Sequence, residues 1–125
     1  AGTYVRRLTT TVENSGADVW TYTDSATNGM SVTILEEGWY KGSASDLRST
    51  NTPEVIVTKN ATNLTVSPAT LTNGTILGTA MAPTSTWAHV SWSDYLYVGD
   101  VIRMQDTVGN DDTTIRTIFR MMKTG

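Results

Sequence analysis

Apolar and polar residues trade places at every second position along most of this chain, in runs too short for a helix to use. Residues 30–36 put Met30, Val32 and Ile34 on one side. Residues 39–45 set Tyr40, Gly42 and Ala44 against Trp39, Lys41 and Ser43, and residues 87–93 set Ala88, Val90 and Trp92 against Trp87, His89 and Ser91. A period of two is the pleat of a β-strand, whose side chains point alternately to opposite faces. No stretch carries the 3.6-residue period that an amphipathic helix needs.

The same reading extends over the chain. Residues 4–12 alternate, with Tyr4, Leu8 and Val12 on one parity. Residues 19–23 carry Trp20 and Tyr22 on one face. Asn28-Gly29 is a tight-turn signal. Residues 54–59, 64–67, 75–82, 95–98, 101–105 and 113–123 also read as strands, separated by Gly, Pro, Asn and Asp clusters. Glu36-Glu37-Gly38 is expected to turn one hairpin, and Gly99-Asp100 a second. The 24 threonines among 125 residues fit the pattern, because a β-branched side chain suits a pleated, half-exposed surface. About nine or ten short strands at this spacing predict an all-β sandwich or barrel. With no linker and no internal repeat, residues 1–125 read as a single domain.

A chain of 125 residues can bury a core without staples. It has no cysteine, which excludes disulfides, zinc–thiolate sites and thiol catalysis, and the lack of disulfides favours an intracellular or virion-assembly origin. Net charge is −3, with nine basic and twelve acidic residues, and the basic residues are scattered except Arg6-Arg7 and the set Arg116, Arg120 and Lys123. That is not the concentrated footprint of a nucleic-acid binder. The apolar runs are too short to span a membrane as helices, and the first ten residues lack a signal-peptide core.

Catalytic groups are scarce. The single histidine, His89, lies on a strand without the partners of a triad or a metal site at recognisable spacing, and is expected to be a packed or interface residue. Glu36 and Glu37 are adjacent, so a strand would point them to opposite faces and keep them from cooperating as acid and base. Asp106, Asn110, Asp111 and Asp112 form an oxygen-rich loop of the kind calcium takes, but not at EF-hand spacing, and a solvated turn is the expectation. Three Asn-x-Thr triplets begin at Asn60, Asn63 and Asn73; about two are expected by chance in a chain this rich in hydroxyls. The tryptophans and tyrosines are residues of cores and interfaces first, and of sugar-stacking surfaces second.

Three segments in order carry a family likeness. Residues 33–41, TILEEGWYK, resemble the strand, turn, Gly-x-Tyr, strand segment of the tumour-necrosis-factor/complement-q-like jelly rolls. Residues 95–103, YLYVGDVIR, resemble that family's Gly-Asp hairpin. The terminal strand with Ile118, Phe119, Arg120, Met121 and Met122 stands where the family has its last core strand. The match spans about residues 30–123.

The resemblance implies an antiparallel jelly-roll β-sandwich that forms a homotrimer. Related small jelly rolls serve tailed phages as capsid decoration (cement) proteins, head fibres and fibre knobs. The implied function is a non-enzymatic decoration protein on the capsid exterior, assembled in the host cytoplasm. Its partners would be its own copies and the major capsid protein lattice, with no cofactor, metal, nucleic acid or membrane. The alternative is a trimeric fibre knob that recognises a host-surface glycan. Because such trimer axes are lined by aromatic and apolar strand residues, Tyr40, Tyr95, Tyr97, Phe119 and Met121 are the expected trimer contacts. Arg6, Arg7, Arg116 and Arg120 are the expected capsid contacts, since a guanidinium binds carboxylates bidentately. Residues 1–29 match least and are expected to contribute to attachment.

Overall fold

The computed structural model describes residues 5, 18–25, 27–47, 52–65, 73–106 and 116–125. They form eight strands and no helix: β1 (Trp20–Ser25), β2 (Gly29–Ile34), β3 (Gly38–Leu47), β4 (Glu54–Lys59), β5 (Thr75–Met81), β6 (Ala88–Leu96), β7 (Val101–Gln105) and β8 (Arg116–Lys123). Two antiparallel sheets result, one in the order β1-β2-β7-β4-β5 and the other β6-β3-β8.

The period-two residues face where alternation says they should. Met30, Val32 and Ile34 of β2, Tyr40 and Ala44 of β3, Trp92 and Leu96 of β6, and Ile102 and Met104 of β7 all enter one core between the sheets. Val55 and Val57 of β4 join them. Each large aliphatic side chain withdrawn from water in this way contributes about 1.5–3 kcal/mol. The expected strand 54–59 agrees with β4 end to end, and the two expected strands over 87–98 are one, β6. Of the expected strand 4–12 only Val5 is described, bridged antiparallel to Gln105. Within 64–67, Leu64 and Thr65 form a turn.

Neither expected hairpin exists. The connection after β2 carries the chain from the five-stranded sheet to the three-stranded one, and the connection after β6 carries it back. The two corners hold each other: Gly99 N donates to Ile34 O at 2.8 Å, and Ile34 N donates to Asp100 O at 2.9 Å. Gly99 has φ +92°, a backbone conformation open to glycine and strained for most other residues. The hairpins that do form are β1–β2 and β4–β5. Asn28 N caps the β1–β2 turn on Ser25 Oγ at 2.9 Å.

Several polar side chains are paired, one pair between the sheets and two within them. Lys59 Nζ of β4 reaches Asp94 Oδ2 of β6 at 2.8 Å, joining the two sheets. Thr58 Oγ1 donates to Gln105 Oε1 at 2.6 Å, and Thr117 Oγ1 to the fully buried Asp46 at 3.3 Å.

Candidate subunit interface

The face of the β6-β3-β8 sheet that turns away from the core follows from register. The rungs Trp39↔Tyr95, Lys41↔Ser93, Ser43↔Ser91 and Ser45↔His89 join β3 to β6. Lys41↔Met122, Ser43↔Arg120 and Ser45↔Ile118 join β3 to β8. Tyr40 and Ala44 point inward, so these partners point outward. Serines on neighbouring strands leave a shallow, open depression of about 590 Å³, lined by Lys41, Ser43, Ser91, Ser93, Arg120 and Met122. Gly42 allows the close approach behind it, since a Cβ there would stand 2.6 Å from both Arg120 O and Trp92 Cζ2.

Large apolar side chains stand exposed on the same face. Ile118 is 42% exposed and Met122 51%, although both belong to β8, whose other parity, Phe119 and Met121, packs on the core. A strand apolar on both parities is a strand built to be covered on both faces. At one end of the face Trp39, 53% exposed, meets Tyr95 edge-on with ring centroids 5.6 Å apart, and Tyr95 meets Tyr97 at 5.2 Å. Tyr95 Oη donates to Glu37 Oε2 at 3.0 Å. That bond, with lesser contributions from partial desolvation and from the Glu37 and Tyr97 charges, raises the Tyr95 pKa above 10.0.

The structure separates the expected trimer contacts. Tyr40 is fully buried; its ring packs 6.5 Å from that of Trp20 and its hydroxyl donates to Glu36 O at 2.6 Å. It is a core residue with no surface for a partner. Phe119 and Met121 are half-buried against the same core, on the inward parity. Tyr95 and Tyr97 stand together at the rim, Tyr97 60% exposed. Of the expected capsid contacts, Arg6 and Arg7 lie outside the described residues. Arg116 begins β8 opposite Leu47, and Arg120 is exposed opposite Ser43. The expected aromatic list passed over Trp39, Ile118 and Met122; the inward parity of Tyr40 and the two-sided apolarity of β8 are the signals that point to them.

His89 is exposed and shares a 2.6 Å hydrogen bond between its Nδ1 and Ser45 Oγ, the cross-strand partner in register. It is not packed inside. Asp106 is fully buried rather than part of a solvated turn; residues 107–112 of the oxygen-rich loop lie outside the described residues. Among the described residues no three His, Cys, Asp or Glu gather as a metal site, and no helix is long and apolar enough to cross a membrane.

Two antiparallel sheets in this strand order define a jelly roll of tumour-necrosis-factor-like fold. Solved structures of that fold resemble it: murine APRIL crystallised at pH 8.5, a jelly roll of the tumour-necrosis-factor family, is 13% identical, with 75% of this chain and 70% of that chain covered and a TM-score of 0.51. A second murine APRIL structure, at pH 5.0, is 13% identical over 75% of this chain and 64% of that chain, with a TM-score of 0.45. No protein-family model and no curated protein matches the chain.

Proposed function

We propose that this protein is a homotrimeric, non-catalytic structural module that decorates and stabilises an assembled viral capsid. The observation that carries the trimer is β8, which gives Phe119 and Met121 to its own core and leaves Ile118 and Met122 exposed on the outer sheet face. Exposed apolar side chains grouped on one sheet face mark an interaction surface. The homotrimer is also what the likeness of residues 33–41 and 95–103 to the tumour-necrosis-factor/complement-q-like jelly rolls implies. The non-catalytic reading rests on the scarcity of titratable catalytic groups in the sequence, with one histidine and no cysteine.

The capsid as target rests on the likeness to small phage jelly rolls. The work would be mechanical: binding only the assembled lattice stabilises it by mass action, and three linked subunits turn shallow contacts into firm attachment. Purified protein added to particles that lack it should raise their disruption temperature; no rise at saturating occupancy overturns the capsid role. One observation favours a glycan-recognising knob as the second reading. The Trp39–Tyr95–Tyr97 cluster beside Glu37 offers rings for stacking and a carboxylate for sugar hydroxyls. Binding of the isolated protein to a glycan array would favour it over the capsid.

A further inference from the structure

The middle of the outer face of the β6-β3-β8 sheet, away from the Tyr95–Glu37 end, carries cations. Lys41 and Arg120 flank the serine-floored depression. The carboxylates of these strands are turned the other way: Asp46 is fully buried and Asp94 is bonded to Lys59. Among the described residues neither Lys41 nor Arg120 has an ion-pair partner. The middle of the face is therefore basic on a chain whose net charge is −3.

The opposite sign gathers at the corner where β1 begins and β2 leaves its sheet. Val19 O accepts from Leu35 N at 2.8 Å and from Glu36 N at 3.3 Å, which brings the exposed Asp18, Glu36 and Glu37 to one end of the sandwich. Lys123 stands 3.5 Å from Glu36 and leaves most of this charge uncompensated. Leu35, 47% exposed, adds an apolar contact beside it.

A threefold ring is heterologous: each protomer gives one surface and receives a different one. Both halves of the contact must then be present on one chain. We infer that in the homotrimer the acidic Asp18–Glu36–Glu37 corner of one protomer seats against the basic Lys41–Arg120 face of the next. This assignment rests on the trimer reading above and specifies which surfaces meet. Opposite fields on the two surfaces speed correct encounter and penalise face-to-face or corner-to-corner pairing.

The test is charge exchange in the full 125-residue chain, read by native mass spectrometry and sedimentation, with thermal unfolding as the check on folding. Wild type should appear at about 41 kDa, three times 13.6 kDa. A wild type that stays monomeric overturns the trimer reading and this inference with it. Given a trimer, Lys41→Glu with Arg120→Glu should weaken association at least about tenfold, and so should Asp18→Lys with Glu37→Lys. All four substitutions together should restore it. A paired variant that associates as wild type does, or a fourfold variant that unfolds cooperatively but stays monomeric, overturns the inference while the trimer stands. Should a variant fail to fold, wild type decides alone. Raising ionic strength from about 0.01 M to about 1 M shrinks the screening length from about 30 Å to about 3 Å and should weaken the trimer at least tenfold. Association indifferent to salt overturns the inference.

Discussion

Lys59 and Asp94 face each other across the sandwich, Nζ to Oδ2 at 2.8 Å, one on each sheet. The pair is only partly exposed, so it ranks above a surface ion pair and below a buried one. Lys59→Ala and Asp94→Ala should each lower stability by about 1–2 kcal/mol, with a coupling near 1 kcal/mol in the double-mutant cycle. Urea unfolding of the four proteins measures it, and additive single effects would deny the pair any role in holding the sheets together.

Gly42 and Gly99 should respond to substitution in opposite ways. Gly42 lacks room, with Arg120 O and Trp92 at 2.6 Å from any Cβ, so Ala should cost about 1–3 kcal/mol and the larger Asn more. Gly99 has open space but φ +92°. There Ala should cost about 1–3 kcal/mol, and Asn, which tolerates positive φ, should recover much of the loss. Melting temperatures of the four variants give the comparison; the same order of Ala and Asn at both sites would refute it.

The two parities of β8 should separate folding from association. Phe119→Lys places a charge against the core and should destabilise the fold itself. Ile118→Lys and Met122→Lys, at outward positions, should leave the monomer's urea midpoint nearly unchanged and weaken the trimer. Chemical denaturation beside native mass spectrometry distinguishes these outcomes. An intact trimer in both outward variants would remove this face from the interface.

Alkaline pH should loosen the core through Tyr40. Burial first, and then the Glu36 charge, raises its pKa above 10.0. The unfolded chain therefore releases the phenolic proton before the folded one does. This contribution is complete below about pH 10 and is lost as pH rises from there through the folded pKa. Stability measured between about pH 9 and 11 should fall less steeply in Tyr40→Phe than in wild type. The same variant, having lost the bond to Glu36 O, should be weaker by about 1–2 kcal/mol at neutral pH. Parallel pH profiles would show that Tyr40 is not responsible.

Much of this architecture is written in local patterns. Alternation alone places Met30, Val32, Ile34, Tyr40 and Ala44 inward and marks β4 from Glu54 to Lys59. What local patterns do not carry is which sheet a strand joins. A Gly-rich corner that crosses between sheets has the same residues as a hairpin turn, so residues 35–37 and 97–100 read as hairpins although their flanking strands pair elsewhere. Being aromatic makes Tyr40 an expected interface residue, whereas its parity with Ala44 sets it inside. Asp46 and Asp94 fail the polar-outside rule for a related reason. Their partners, Thr117 and Lys59, lie 71 and 35 residues away and come near only in the finished sandwich. The sign of the outer face was illegible for the same cause, because it depends on those two carboxylates turning inward.

The paired corners at Ile34 and Gly99 also govern how the chain must reach this state. Val32 finds Ile102 and Tyr40 finds Lys123 only after long stretches of chain have been gathered in. Loop-closure entropy is therefore spent before most of the ladder can form. A topology so dominated by distant pairings folds in milliseconds to seconds rather than microseconds. During that interval β8, apolar on both sides, is without its neighbour β3. A nascent chain cannot complete the three-stranded sheet until residues 116–123 have left the ribosome.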